Sequence, residues 1–226
     1  MKTLTALMLL LLPLIGSAQS RNLAQFVTWQ PKPGMEKQFE EGYKKHLEWH
    51  RDHGDTWNWY GWFFLSGPRA GQFMDATIDH AWGDFDSPVD PAGDRADNQI
   101  NTVPYADFQQ ASKLNAIPHL SSPGKDGLKS KYLKMITMDV VDDYSANFRI
   151  QRLKNRYSNR NELKFFVTYK TVDGGRLNNW YILIGADSWA DLEQTADAGE
   201  RLIDSAVFKS VLSETLIFRA DMSRFP

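Results

Sequence analysis

The chain has 226 residues, 42% of them hydrophobic and 13% aromatic, with 26 basic against 28 acidic side chains and a formal charge of -2. That profile specifies a folded core and excludes disorder or collagen-like repetition, and the near-neutral balance gives no global attraction to phosphate backbones, which sets nucleic acid aside as a partner. Cysteine is absent, so disulfides, thiolate metal sites and a lipid-anchored cysteine are ruled out.

From the N-terminus, residues 1–18 read as a signal peptide: Lys2, an apolar run over 6–15 containing Pro13, then the small-x-small sequence Gly16-Ser17-Ala18. The run is about half of the roughly 20 residues a membrane span needs, so it predicts export to the periplasm or beyond and no membrane span. A short strand over 26–29 follows. Pro33-Gly34 then opens a helix over 35–53, which Gly54 can close in a left-handed conformation. Two strand-like runs, 57–65 and 72–78, flank a turn at 66–71. After Trp82 the pattern becomes irregular, and Pro88, Pro91 and Gly93 predict a loop where a helix is expected. Helix resumes near Pro104, capped by Thr102, and runs through 108–114; no fourth strand is evident before residue 131. The later chain is more regular. It has a strand at 135–138, a helix, and strands at 163–172 and 180–184 joined by Asp173-Gly174-Gly175. A capping box of Ser188 and Asp191 starts a further helix with Leu192, Ala196, Leu202, Ile203 and Ala206 toward the sheet, and a closing strand covers 215–220.

The chain also resembles itself. Phe26-Val27-Thr28-Trp29 matches Met135-Ile136-Thr137-Met138, and Phe39 matches Phe148, at an offset of 109, while Ala81-Trp82-Gly83-Asp84-Phe85 matches Ser188-Trp189-Ala190-Asp191-Leu192 at 107. The order in each half predicts an α+β protein of two tandem ferredoxin-like β-α-β-β-α-β repeats, residues 19–131 and 132–226, with the first repeat irregular after Trp82. Over about residues 23–221 this pattern resembles the dimeric α/β-barrel superfamily, which includes antibiotic-biosynthesis monooxygenases, haem-degrading monooxygenases, chlorite dismutase-like proteins and small stress-response proteins. The resemblance implies paired sheets forming a barrel, a pocket between a sheet and its own helices, and monooxygenase-type or haem-linked chemistry. Two departures bear on haem. Chlorite dismutase-like proteins carry their haem-ligating histidine in the second copy, and this second copy has no histidine; the Asn, Trp and His used by haem-degrading relatives are carried over to no residue of this chain.

The helix over 35–53 holds the strongest chemical signal. At 100° per residue, Phe39, Gly42, Tyr43, His46, Leu47, Trp49, His50 and His53 share one apolar sector, and the charged residues fill the other. Three of the five histidines therefore lie on the face expected to be buried, at i, i+4 and i+7. They are either boundary rings bonded to carbonyls near the helix end or pocket groups able to move protons or ligate. One helix rarely places three ligands around one ion, and no acidic partner adjoins them on that face, so no metal set is assigned. The facing strand alternates Trp57, Trp59, Gly61, Phe63 and Leu65 on one side with Asn58, Tyr60, Trp62 and Phe64 on the other, so both faces are aromatic. On the next strand Asp75 shares a side with Phe73, either at a pocket rim or in solvent.

Asp84, Asp86, Asp90, Asp94 and Asp97 make a segment rich in oxygen ligands but without EF-hand spacing. Arg149, Arg152, Lys154, Arg156, Arg160 and Lys164 read as a solvated basic face. Nucleophile-elbow, phosphate-loop, zinc-protease and dinucleotide motifs are absent. The expectation is a small-molecule pocket in the first repeat, with His46 and His50 as catalytic candidates, His53, Trp59, Tyr60, Trp62 and Asp75 as ligand contacts, and a small apolar or aromatic ligand. No cofactor is specified. The competing expectation is a non-catalytic ligand-binding or stress-related module. The two diverge on asymmetry: a site in the first repeat predicts a cavity beside His46 and His50 that apolar side chains fill in the second.

Overall fold

The computed structural model describes residues 20–226, so the expected signal peptide lies outside the described residues. Eight antiparallel strands close into one barrel. They are β1 (Leu23–Pro31), β2 (Tyr60–Phe64), β3 (Phe73–His80), β4 (Ala106–Ala116), β5 (Tyr132–Val140), β6 (Leu163–Asp173), β7 (Asn179–Ala186) and β8 (Phe208–Phe218). Around the barrel they run β1-β3-β2-β8-β5-β7-β6-β4. Within residues 23–116 the order is β4-β1-β3-β2, and within 132–218 it is β8-β5-β7-β6, so both halves share one connectivity and are joined by the β2–β8 and β4–β6 seams. No helix among the described residues is long and apolar enough to cross a membrane.

Strand alternation decides what each face buries. Phe26, Tyr60, Trp62, Phe64, Met135, Phe165 and Leu183 point inward and fill the barrel. The outward side chains meet helices. In the first half Trp29 and Phe73 pack with Phe39, Tyr43 and Leu47 of α1 (Glu36–Asp52). In the second, Ile136, Met138, Trp180, Ile182 and Ile184 pack with Ile150, Leu153 and Tyr157 of α3 (Asp143–Tyr157). Gly54 adopts φ +71 just beyond α1, the left-handed stop its position called for.

Four sequence expectations are corrected here. The segment after Trp82 does not remain a loop: α2 (Pro91–Asn101) starts with Pro91 in its first turn, where the missing N–H costs nothing, and the Asp90 carboxylate accepts from Gly93 N. Residues 108–114 are strand, not helix, and supply the fourth strand, β4, whose residues are mostly exposed. In the second half, α4 spans only Trp189–Glu193, with Ser188 accepting from Asp191 N as expected; Ala196, Ile203 and Ala206 are exposed, and the closing strand starts earlier, at Phe208. Finally, Phe39 is sealed while Phe148 is 63% exposed, so Phe148 is not its counterpart. The helices begin at Glu36 and Asp143, an offset of 107, which matches Phe39 with the buried Ala146. The strands β1 and β5 keep the offset of 109, since Val27 pairs with Asp75 as Ile136 pairs with Ile182.

Candidate active site

The site lies outside the barrel of the first half, between α1, α2 and the outer faces of β1 and β3. Gly42 permits it. A Cβ at that position would run into the Asn101 carbonyl, so glycine lets the end of α2 lie directly on α1. This contact brings the polar stripe Asp94, Asp97, Asn98 and Asn101 over the histidine face.

His46 and His50 are 6% and 4% exposed. Their Nε2 atoms face each other at 3.2 Å. On the far side of each ring sits a carboxylate. His46 Nδ1 is 2.8 Å from Asp97 Oδ2, whose other oxygen accepts from Asn101 Nδ2 at 2.8 Å. His50 Nδ1 is 2.8 Å from Asp55 Oδ2, close but bent away from hydrogen-bond alignment. Asp55 is in turn held by Trp57 N at 2.9 Å and Trp59 Nε1 at 2.8 Å. Burial costs an Asp55 anion, but the adjacent His50 ring and the donors from Trp57 and Trp59 outweigh it and hold the carboxyl below the usual carboxylate range. Asp94 Oδ1 completes the group, 3.4 Å from His46 Nε2 and 3.7 Å from His50 Nε2. Burial, and then the charge of His50, depress the pKa of His46.

Beside this group a cavity of about 110 Å³ is bordered by Trp29, Tyr43, His46, Trp59, Asp75 and Asp94. Asp75 is only 4% exposed, which settles its position as internal rather than in solvent. It accepts from Trp29 Nε1 at 3.0 Å and borders the same cavity as Tyr43. Burial raises its pKa to about 7, with the Asp94 charge adding to the rise and the Trp29 bond and the Tyr43 hydroxyl opposing it. Tyr43 is pushed well above the ordinary tyrosine value, first by burial and then by Asp75. Asp94, with a side chain 38% exposed, stands at the mouth. Larger hollows occur elsewhere, about 520 Å³ around Arg21, Trp57 and His80 and about 270 Å³ beside Leu128 and Tyr169. Neither gathers several buried titratable groups with a carboxyl near neutrality, so chemistry rather than volume marks the site.

Of the sequence-derived candidates, the fold brings together His46, His50, Trp59 and Asp75; the Trp59 ring lies 4.6 Å from that of His50. Three others are elsewhere. Tyr60 and Trp62 belong to the barrel interior, stacked on each other at 5.6 Å, because strand alternation turns them away from Trp59. His53 is exposed at the end of α1, with Nδ1 2.8 Å from the Trp49 carbonyl and its ring stacked on Trp49. The expectation that no acidic partner adjoins the histidines is also overturned, since Asp94 and Asp97 arrive from α2 and Asp55 from the residues following α1. The aspartates after Trp82 form no single cluster: Asp84 pairs with Arg21 and His80, Asp90 caps α2, and Asp94 and Asp97 face the histidines. A signal for them was present. Asp90-Pro91 reads as cap and first helical residue, and 94, 97, 98 and 101 then fall on one helical face.

The corresponding region of the second half is apolar. At the 107 offset His46, His50 and Asp75 correspond to Leu153, Tyr157 and Ile182, all buried in one apolar cluster.

No protein-family model matches the chain, and no curated protein matches its sequence. Solved structures do match its fold. A candidate monooxygenase from Lactobacillus acidophilus superposes with a TM-score of 0.61 at 11% identity, covering 90% of this chain and 95% of that one. A candidate monooxygenase from Fusobacterium nucleatum gives 0.62 at 10% identity, with 87% and 91% covered. Chlorite dismutase from Candidatus Nitrospira defluvii gives 0.56 at 9% identity, with 87% and 91% covered. The chain therefore shares its fold with these proteins. At these identities the likeness is one of fold, and the residues of this chain must carry any argument about chemistry.

Haem, which the sequence resemblance raises, does not fit this site. The cavity falls well below the roughly 300 Å³ at which cofactor pockets begin. The residues from 132 onward contain no histidine.

Proposed function

We propose that this chain is an exported enzyme of monooxygenase type, built from tandem ferredoxin-like units at 19–131 and 132–226, that acts on a small aromatic molecule in the pocket of the first unit. The observation that carries the reading is Asp75: a sealed carboxyl, held by Trp29 beside the cavity, whose pKa of about 7 lies where a general base works best. Trp29, Tyr43 and Trp59 offer aromatic walls, with one side open past Asp94. Asp75 would remove a proton from an acidic C–H or phenolic O–H at the inner end of the pocket. The resulting electron-rich anion is the form of such a ring that reacts with dioxygen. The fold neighbours, two candidate monooxygenases and an anthrone oxidase-like protein, support this class. The signal-peptide pattern of residues 1–18 supports export to the periplasm or medium.

The test is dioxygen uptake by purified mature protein with a panel of single-ring hydroquinones and catechols, the size the cavity admits. The expected kcat/KM rises with pH to a plateau above about pH 7, and Asp75→Asn lowers kcat by roughly 100-fold or more. Turnover that survives Asp75→Asn unchanged removes Asp75 as the base.

A further inference from the structure

We propose that His46, His50 and Asp94 form a divalent transition-metal site of two imidazoles and one carboxylate at the mouth of this pocket. The proposal adds an ion to the site assigned above and so rests on that reading, but its test needs no turnover.

The first argument is the direction of the lone pairs. A carboxylate next to Nδ1 favours the tautomer with its proton on that nitrogen, leaving Nε2 as a bare acceptor. Asp97 does this for His46 through an aligned contact, and Asp55 does it for His50 by its charge, 2.8 Å from Nδ1 without an aligned bond. Both Nε2 lone pairs then face one another across 3.2 Å, with an Asp94 oxygen at 3.4 and 3.7 Å. Three acceptors converge on one spot. The Asn98 amide marks the same spot, since its Nδ2 lies 3.1 Å from both His46 Nε2 and Asp94 Oδ1. A single amide cannot compensate all three acceptors; a cation can.

The second argument is size. The three atoms lie within 4.8 Å of one another. A circle through points with their separations has a radius of about 2.0 Å, which matches metal–imidazole and metal–carboxylate bond lengths of about 2.0–2.2 Å. An ion can therefore reach all three without moving α1 against α2. Three protein ligands also leave positions free for water or substrate, as catalytic sites require.

The third argument is support. Both histidines carry an outer carboxylate, and each carboxylate is itself held, Asp97 by Asn101 and Asp55 by Trp57 and Trp59. Such outer partners orient metal-binding imidazoles. Two imidazoles with one carboxylate and no thiolate select a borderline first-row divalent ion, such as zinc, iron(II) or cobalt(II), over calcium or magnesium.

The experiment strips purified protein with EDTA, removes the chelator, and titrates it with cobalt(II), following visible d–d absorption, and with zinc(II) by calorimetry. One equivalent should bind and produce a cobalt band. Asp94→Asn and His50→Gln should weaken binding by more than the roughly 100-fold a supporting carboxylate commands, and Asp97→Asn by about 10- to 100-fold. Glu48→Gln, on the opposite face of α1, should leave it unchanged. Absence of a band and of saturable heat overturns the proposal, as does equal affinity in wild type, Asp94→Asn and His50→Gln. If His50→Gln fails to fold by circular dichroism, the partly exposed Asp94→Asn decides. Cobalt bound without turnover of any substrate upholds the ion and removes the proposed reaction; turnover without cobalt binding upholds the reaction and removes the ion.

Discussion

Asp75→Asn should make the protein more stable, and by an amount that grows with pH. In the unfolded chain this aspartate loses its proton near 3.8, but in the fold burial holds the proton until about pH 7. Between those values the folded state binds more protons than the unfolded one, so wild-type stability falls as pH rises through the window and levels off above it. The span corresponds to roughly 4 kcal/mol, at about 1.36 kcal/mol for each pH unit of difference. Asparagine keeps an acceptor for Trp29 Nε1 but has no proton to lose. The two proteins should therefore differ little near pH 4, and the variant should lead by up to about 4 kcal/mol at pH 8. Urea unfolding in EDTA, followed by tryptophan fluorescence at pH 4.5, 6 and 8, measures the gap, and effects of other titrating groups cancel between the proteins. A gap that stays constant within about 0.5 kcal/mol across this range refutes the claim that Asp75 holds its proton through burial. Activity should move the other way, because the ionised carboxylate that costs stability is the form that accepts the substrate proton.

Other perturbations probe how the site is assembled. Gly42→Ala drives a Cβ into the Asn101 carbonyl; it should cost about 1–3 kcal/mol in thermal unfolding and weaken cobalt binding by displacing α2. Asp90→Ala removes the α2 cap and should cost about 1 kcal/mol, with earlier amide exchange in 91–101 than elsewhere. At the β2–β8 seam, Arg69 pairs with Glu214, whose side chain is fully buried, and Arg69 Nε donates to it at 2.9 Å. Arg69→Met leaves that carboxylate without its counter-charge and should cost about 3–5 kcal/mol in urea unfolding, while Arg69→Met with Glu214→Leu recovers most of it.

The features that could be read from the sequence are those in which one local rule dominates. α1 has a strong amphipathic pattern and a glycine stop, so its limits and its buried histidines follow from periodicity. Strand parity likewise separates Trp59 from Tyr60 and Trp62; grouping the last two with the histidines neglected that rule. β4 was hidden because only Ala106, Ser112 and Leu114 of its residues are buried. A strand set between β1 and β6 is stabilised by its hydrogen-bond ladders, which leave no hydrophobic alternation to detect. α2 was hidden for a different reason: Pro91 and Gly93 break a helix in its interior but are harmless in its first turn, and only recognising Asp90 as the cap tells the two situations apart. Missing α2 concealed Asp94 and Asp97, and with them the acidic half of the site.

The contrast between the halves explains how one barrel can support so polar a site. Under α3, the positions matching His46, His50 and Asp75 hold Leu153, Tyr157 and Ile182, each contributing burial of roughly 1.5–3 kcal/mol if it resembles other large apolar side chains. Under α1 the same three places hold two imidazoles and a carboxyl, which gain far less from leaving water and are tolerated where Trp29 donates to Asp75 and the carboxylates of Asp97 and Asp55 stand beside His46 and His50. The seams β2–β8 and β4–β6 bind both halves into one closed sheet, so the apolar half can offset the cost carried by the polar one without either having to be stable alone. Had the histidines served only to fill a core, the apolar solution already present at the matching positions would have been the more stable choice. Their place in a carboxylate-buttressed group beside a cavity is the arrangement on which the proposed chemistry rests.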